Sequence, residues 1–473
     1  MTRRKAFDLL AEWVLPATVG AGALFLYVNG AVFSPLSALH VDFSINFTAA
    51  HALWDGANPY GETTLFQRAE SLGGPTNLLY RQLFTSYLQP PTSALSITPL
   101  TALPWREASR AYLVLNNLFL ALAVALTLYT VRPTLPWRWA VPGALVLLMG
   151  FSQVYDSLAL GQVDATIVLL LTVGLWGYKA GRPAVTGTAL ALATAIKIVP
   201  GLLLLYFLWK REYRTALWGA GVGLGLLLLS LPVAGFDTYW TYASDTVPSL
   251  AKGSAYYANV SVVGAITRAF VDGPLGGLRP LDSFEEVPSV AAARIWSVLA
   301  EVAILAGLAL AVGRQGRPRA GSGDALSPLR PELVEGPQGY VIEYYLVVAA
   351  GLLISSVTWE SYLVWLLPLF LAAFLAPSRV LPGGRQRLAA LAALGVAYLA
   401  LNYPGDLYPF DVNGLFYHPS WVPGVWVEDR LQLYHRHLAV IPALRLAALA
   451  LLALTLAALT VSGRRRQAGQ ASG

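Results

Sequence analysis

Long apolar runs, each closed by proline, glycine or a cluster of charge, recur along almost the entire chain. A helix needs about 20 apolar residues to cross a bilayer. Runs of that order predict spans near 12–33, 83–103, 108–131, 137–155, 158–178, 184–209, 215–233, 290–313, 340–357, 361–377, 387–403 and 437–461. The expectation is an all-α polytopic membrane protein, a single domain of about 11–12 transmembrane helices. Between the first two runs lies a first outer loop, about residues 34–82, and within it Val41 to Tyr60 follows a different pattern. Phe43, Phe47, Ala50 and Trp54 recur at helical spacing, while Ser44, Asn46, Thr48 and His51 fall mostly elsewhere. That spacing predicts a short amphipathic helix lying in the membrane interface. Gly56, Asn58 and Pro59 end it, because proline cannot donate to a helix and biases the residue before it towards extended backbone. Residues 314–338, rich in Gly, Pro and charge, read as a flexible cytoplasmic linker, and 404–436 as a C-terminal outer loop.

Composition sharpens this picture. Of the 473 residues, 56% are hydrophobic and 12% charged, about half the charged fraction of a soluble domain. The 32 basic residues outnumber the 26 acidic ones, but Arg3, Arg4, Lys5 and Arg464 to Arg466 lie at the two ends and act as topology determinants, with no nucleic-acid partner implied. With no cysteine there is neither a disulfide nor a thiolate metal site. The first apolar run exceeds a signal-peptide core and lacks a small-residue cleavage site, so it reads as a permanent span. Placing Lys210, Arg211 and Arg214, then Arg314, Arg317 and Arg319, then Arg379, Arg385 and Arg387, then Arg464 to Arg466 in the cytoplasm sends 234–289, the Ser355–Glu360 turn, 402–436 and Asp42 to the outer face of the cytoplasmic membrane, with both termini inside. In the first half Arg132 and Arg138 conflict with a simple count of crossings. Either 83–103 does not cross fully, or 184–209 is a pair of half-helices with Lys197 near mid-membrane.

Ionisable residues in apolar runs cost about 2.5–3.5 kcal/mol each on insertion scales, so they mark partners or functions. Asp42, just beyond the first span, is either a chemical acid or the N-cap of the helix that follows. Lys197, in LALATAIKIVPGLLLLYF, is either a snorkelling lysine or a cation awaiting an anionic group such as a lipid phosphate, and Pro200 breaks the helix beside it. In Leu160-Gly161-Gln162-Val163-Asp164, Gly161 permits close backbone approach and Gln162 offers both donor and acceptor to a polar ligand; a plain interhelical turn looks similar. Ser261 and Arg268, seven residues apart, share a helical face, and the guanidinium fork suits phosphate oxygens. Asn259-Val260-Ser261 also fits a glycosylation sequon, a short and common pattern. Glu360, in a polar turn after Trp359, is a second carboxylate of the site or a loop-end charge. Trp240, Tyr242, Tyr256, Tyr257, Phe410, Phe416, Tyr417, Trp421, Trp426 and Tyr434 enrich the outer segments, as an interfacial belt or as sugar-stacking rings.

Taken in order, Asp42-Phe43 with Gly56, Pro59 and Tyr60, Tyr87 with Pro90 and Pro91, Gly161-Gln162, Lys197 with Pro200, Asn259 and Ser261 with Arg268, and Trp359-Glu360 resemble glycosyltransferase family 87 of the GT-C superfamily, the polyprenyl-phosphate-mannose-dependent α-1,2-mannosyltransferases. The resemblance covers about residues 40–375 and implies a GT-C bundle, an extracytoplasmic site, a lipid-linked hexose donor, a lipid or glycan acceptor and inversion at the anomeric carbon. It implies Asp42 as general base, Lys197 and Arg268 as ligands of the donor phosphate, and Gln162, Asn259, Ser261, Trp359, Glu360 and His51 as substrate-binding residues. One departure is Ser361, where relatives commonly carry His: either any proton-shuttling role moves to Glu360 or His51, or the acceptor chemistry differs. No cofactor is implied. Asp42 with Glu360 would make a thin divalent-metal site, and no cluster with ligand spacing is visible. The alternatives are a transporter or flippase of lipid-linked sugars, which needs polar residues from face to face, and a non-catalytic scaffold, which tolerates loss of Asp42.

Overall fold

The computed structural model describes residues 10–37, 40–60, 62–74, 87–255, 258–270, 291–314, 339–402 and 440–471. The linker 314–338 beyond Arg314, the C-terminal outer loop 404–436 and Tyr256 and Tyr257 lie outside them. Within the described residues the chain is helical apart from turns and one isolated bridge, Asn259 with Trp359. The principal helices in chain order, short turns such as Phe236–Thr241, Tyr242–Thr246, Val247–Leu250 and Pro377–Val380 apart, are α1 (Leu10–Leu36), α2 (Val41–Trp54), α3 (Glu62–Ser71), α4 (Pro91–Ser96), α5 (Trp105–Val131), α6 (Trp137–Met149), α7 (Ser152–Leu160), α8 (Asp164–Lys179), α9 (Pro183–Ile196), α10 (Gly201–Trp209), α11 (Tyr213–Ala234), α12 (Val262–Phe270), α13 (Ala291–Val312), α14 (Gly339–Ile354), α15 (Glu360–Leu375), α16 (Arg385–Asn402) and α17 (Val440–Ala471).

Five of these, α1, α5, α11, α13 and part of α17, are long and apolar enough to cross a membrane, or six if α6 and α7, bent by 61° at their junction, form one span. The protein is a multi-pass membrane protein. Helices α11 and α13 turn apolar side chains outward, with Leu229 79% and Leu217 70% exposed, as lipid-facing helices do. The buried core runs instead through α2, α8, α14 and α15, whose side chains are enclosed on nearly every side.

Both solutions to the crossing count occur together. Among its described residues, the predicted span 83–103 holds the six-residue α4 and a 3-10 turn, Thr98–Ala102; α4 meets α2 through Ser93 Oγ donating to Asn46 Oδ1 (3.3 Å), and Trp105, just beyond the turn, meets it through Nε1 donating to Ser44 Oγ (2.8 Å). The predicted span 184–209 is two half-helices, α9 and α10. Lys197 leaves α9 in extended backbone, and Pro200 has no N–H to continue it. Both feet of this pair stand at the basic end, where Tyr178 packs against Phe207 and Lys179 bonds the Thr130 carbonyl. At the same end the Lys210 ammonium donates to the Val312 carbonyl (3.2 Å) and to Glu343 (3.0 Å), fastening α10, α13 and α14 together. Arg464 of α17 reaches the Leu310 and Ala311 carbonyls there.

The helix predicted over 43–54 is present, but it is not a surface helix with one wet face. Ser44, Asn46 and Thr48 are as buried as Phe43 and Phe47, while Trp54 is exposed. Ser44 and Asn46 bond Trp105 and Ser93 of neighbouring segments, which is why sequence periodicity assigned them to the wrong environment.

Candidate active site

Helix α2 begins under tight control. His40 sits in left-handed backbone (φ 44°), its carbonyl accepts from Ser44 N and Oγ (both 2.9 Å), and its buried imidazole meets Ser109 Oγ on α5. The helix starts at Val41 with His40 in the cap position, so Asp42 is the second helical residue and not the N-cap. Facing it is the turn between α7 and α8. Gly161 closes α7 at φ 68°, and a Cβ there would lie 2.6 Å from Phe43 Cβ and 3.2 Å from His40 Cβ. The close approach expected of this glycine is therefore an approach to the Asp42 helix. Gly161→Ala is expected to melt lower than wild type in detergent, because the left-handed backbone and the 2.6 Å contact must both be relieved and backbone strain of this kind costs on the order of 1–3 kcal/mol. Wild-type melting would show that α2 yields without consequence.

Beyond the turn, five side chains interlock. Lys197, 6% exposed, donates to Asp164 Oδ1 (2.7 Å) and to Gln162 Oε1 (3.3 Å). Its ammonium stands 3.4 Å from the centroid of the Tyr362 ring, which stacks on Trp365. Trp365 Nε1 donates to the same Asp164 oxygen (3.1 Å), and Asp164 is fully buried. Gln162 also favours the ionised form of the Asp42 carboxyl. The Gln162 backbone carbonyl accepts from Asn116 Nδ2 (3.2 Å) and lies 3.4 Å from the Tyr112 hydroxyl. Asp42 remains partly accessible while the residues on either side of it are buried. Burial pushes its carboxyl up to about 7, against the pull of the Lys197 ammonium, which Asp164 partly offsets. The site thus offers an accessible proton acceptor beside a caged cation.

Asn259, Ser261, Arg268, Trp359 and Glu360 form a second cluster at the same end, and His51 stands apart from both. Asn259 is fully buried: Nδ2 donates to the Ser254 and Ser356 carbonyls (both 3.0 Å), and Oδ1 accepts from Ser261 N (3.2 Å) and Thr358 N (3.0 Å). Ser261 Oγ caps α12 by accepting from Gly264 N (2.9 Å). These atoms tie the segment before α12 to the turn before α15, and Trp359 pairs with Asn259 in the bridge. Such burial leaves the sequon no access to solvent. Arg268 donates to the Asn259 carbonyl (2.9 Å) and feels the charge of Glu360. Glu360 pairs with Arg445 of α17 rather than with Asp42. His51, nine residues after Asp42 and so on the opposite side of α2, lies edge-on to Phe47 at 4.7 Å. Burial lowers its pKa, with Asp55 pulling the other way.

Sequence reasoning passed over Asp164, Tyr362, Trp365 and Arg445. Asp164 stood in the Gly161-Gln162 motif without a role, and Trp359, Tyr362 and Trp365 recur every third residue, the period of the 3-10 helix Glu360–Leu366. Arg445 carried the signal that exposed Lys197, a single cation inside a long apolar run.

Residues 87–329 match the sequence profile of glycosyltransferase family 87, just over half of the chain and including Gln162, Asp164, Lys197, Asn259, Ser261 and Arg268. The chain belongs to this family. Similar proteins include a polyprenol-phosphate-mannose-dependent α-(1-2)-phosphatidylinositol mannoside mannosyltransferase of Mycobacterium tuberculosis, 26% identical over 424 residues, 86% of this chain and 84% of that protein. The protein of the same description from Mycolicibacterium smegmatis is 25% identical over 377 residues, 76% and 74% of the two chains. A pentamannoside mannosyltransferase of Mycobacterium tuberculosis is 27% identical over 248 residues, 52% of this chain and 46% of that protein. No solved structure is significantly similar. As a family 87 member the protein is a membrane glycosyltransferase.

Proposed function

We propose that this glycosyltransferase moves a mannosyl residue from a polyprenyl-phosphate donor to a lipid-linked glycan acceptor on the extracytoplasmic face of the cytoplasmic membrane, with inversion and with Asp42 as general base. The supporting observation is the Asp42 carboxylate itself: partly accessible, held near neutral pKa by burial, and set beside the Lys197–Asp164 pair. A base is most useful when its pKa lies near the working pH. The donor class follows the descriptions of the similar mycobacterial proteins, and phosphatidylinositol mannoside is the acceptor class to try first.

Two arrangements support the sidedness. Asn58 donates to Thr241 (3.0 Å) and Tyr60 packs on Tyr242, joining the first outer loop to the segment after α11, while Val260 N bonds the Thr358 carbonyl (2.8 Å). Lys210, Arg314, Arg379 and Arg464 collect at the opposite ends of the same helices, the end the positive-inside rule assigns to the cytoplasm. Arg268, one of the two cations the sequence suggested for the donor phosphate, stands with Glu360 and Arg445 beside this outer face. Lys197 already holds Asp164, so in this reading it polarises the reacting centre from below.

The test is transfer by purified protein from radiolabelled polyprenyl-phosphate-mannose to phosphatidylinositol mannosides, with polyprenyl-phosphate-glucose in parallel. Label is expected in the acceptor from the mannosyl donor alone, with the opposite anomeric configuration. A folded protein that transfers from neither donor, or with retention, would sink the proposal.

A further inference from the structure

Helix α7 is a rod of nine residues, about 13 Å long, with the site at one end. Its last turn and the Gly161–Asp164 turn move as one piece. Gly161 N bonds the Leu158 carbonyl (3.2 Å), Gln162 N bonds the Ser157 carbonyl (2.9 Å), and Ser157 Oγ lies 3.5 Å from Asp164 Oδ2. Whatever fixes the far end of the rod therefore fixes Gln162 and Asp164.

That far end follows the 61° bend after α6, where the first amides of a helix lack intrahelical partners and Phe151 provides no side-chain cap. The cap comes instead from α16. Asn402, its last residue, accepts at Oδ1 from Ser152 N (2.7 Å) and Ser152 Oγ (3.2 Å), and is itself oriented by Nδ2 donating to the Tyr398 carbonyl (2.7 Å). Around it, Gln153 Nε2 donates to the Leu401 carbonyl (2.8 Å) and the Tyr398 hydroxyl to the Leu147 carbonyl (2.8 Å). The Phe151 ring is buried against Phe370 and Tyr398. Gly150 is bare where a Cβ would lie 2.9 Å from the Tyr398 hydroxyl.

We infer that Asn402 is a positioning residue of the transfer reaction: by capping α7 from α16 it sets where the turn carrying Gln162 and Asp164 meets Asp42 and Lys197. The inference rests on reading those four residues as the reacting centre. Losing the cap lets the rod slide or tilt at its unsupported end, and a displacement of about 1 Å at reacting groups is worth on the order of 10²-fold in rate. Asn402→Asp keeps the acceptor oxygen and adds a charge that a helix N-terminus favours.

The experiment measures kcat, KM for polyprenyl-phosphate-mannose and the pH–kcat profile of purified Asn402→Ala and Asn402→Asp, corrected for the folded fraction, beside wild type and Asp42→Asn. For Asn402→Ala kcat is expected to fall on the order of 10²-fold with KM little changed. Its pH midpoint should move, because Gln162 and Asp164 both act on Asp42; Asn402→Asp should return kcat and midpoint towards wild type. A wild-type kcat and midpoint in folded Asn402→Ala, with Asp42→Asn inactive, overturns this inference alone. An Asp variant as slow as the Ala variant also overturns it, since the acceptor oxygen is then not what matters. Full activity in Asp42→Asn overturns the reading of the site and this inference with it.

Discussion

Asp42→Asn is expected to lose transfer by about 10²- to 10⁴-fold, the range a positioned general base contributes, while folding as well as wild type. Asparagine keeps the size of the side chain and a hydrogen-bonding partner for Gln162, but it cannot take a proton. The wild-type pH dependence carries the same signature. A general base works ionised, so if Asp42 has that role transfer should rise with pH through about 7, where burial places its carboxyl, and level off above it. Stability runs the other way. The folded protein binds this proton more tightly than the unfolded chain, so the group's stabilising contribution is full below the ordinary carboxylate value of 3.8 and is lost as pH rises through about 7. Asp42→Asn should therefore melt no lower than wild type at pH 8, measured by intrinsic fluorescence in detergent. A melting point well below wild type would make Asp42 a structural residue, and wild-type transfer would remove it from the chemistry.

Breaking the Lys197–Asp164 pair should be the most damaging single change to the fold. Lys197→Met leaves a fully buried carboxylate without its cation, and removing one partner of a buried pair costs about 3–5 kcal/mol. The double variant Lys197→Met with Asp164→Asn removes both charges and keeps an acceptor for Trp365, so it should recover most of that loss. Stability and chemistry then separate. If Lys197 stabilises the reacting centre, the double variant melts near wild type and still transfers poorly; if it transfers normally, Lys197 only balances the charge of Asp164.

Much of this was readable from apolar runs and punctuation. Helices α5, α11, α13, α14, α15 and α16 follow the predicted boundaries closely, because Pro, Gly and clustered charge end helices for local reasons, whereas the break predicted between 155 and 158 falls inside α7, the true breaks lying at Gly150 and Gly161. The broken helix at 184–209 was readable only as one of two alternatives, since the backbone break at Lys197 is local but how its two halves pack depends on partners far along the chain. The burial of α2 was not readable. Its polar residues satisfy Trp105 and Ser93 across the bundle, and periodicity cannot distinguish a hydroxyl facing water from one facing another helix. Within the site, single unusual residues such as Lys197, Gly161 and Gln162 announced themselves, whereas Asp164 and Tyr362 matter through what they touch.

The ammonium of Lys210 has one further consequence. It holds the end of α13 at Val312 and the start of α14 at Glu343 to a common point, so the helices on either side of 315–338 are joined by side-chain bonds as well as by the chain between them. Lineages carrying this lysine and glutamate are accordingly free to lengthen, shorten or rewrite that stretch, and divergence in the family should accumulate there faster than at any turn facing Asp42.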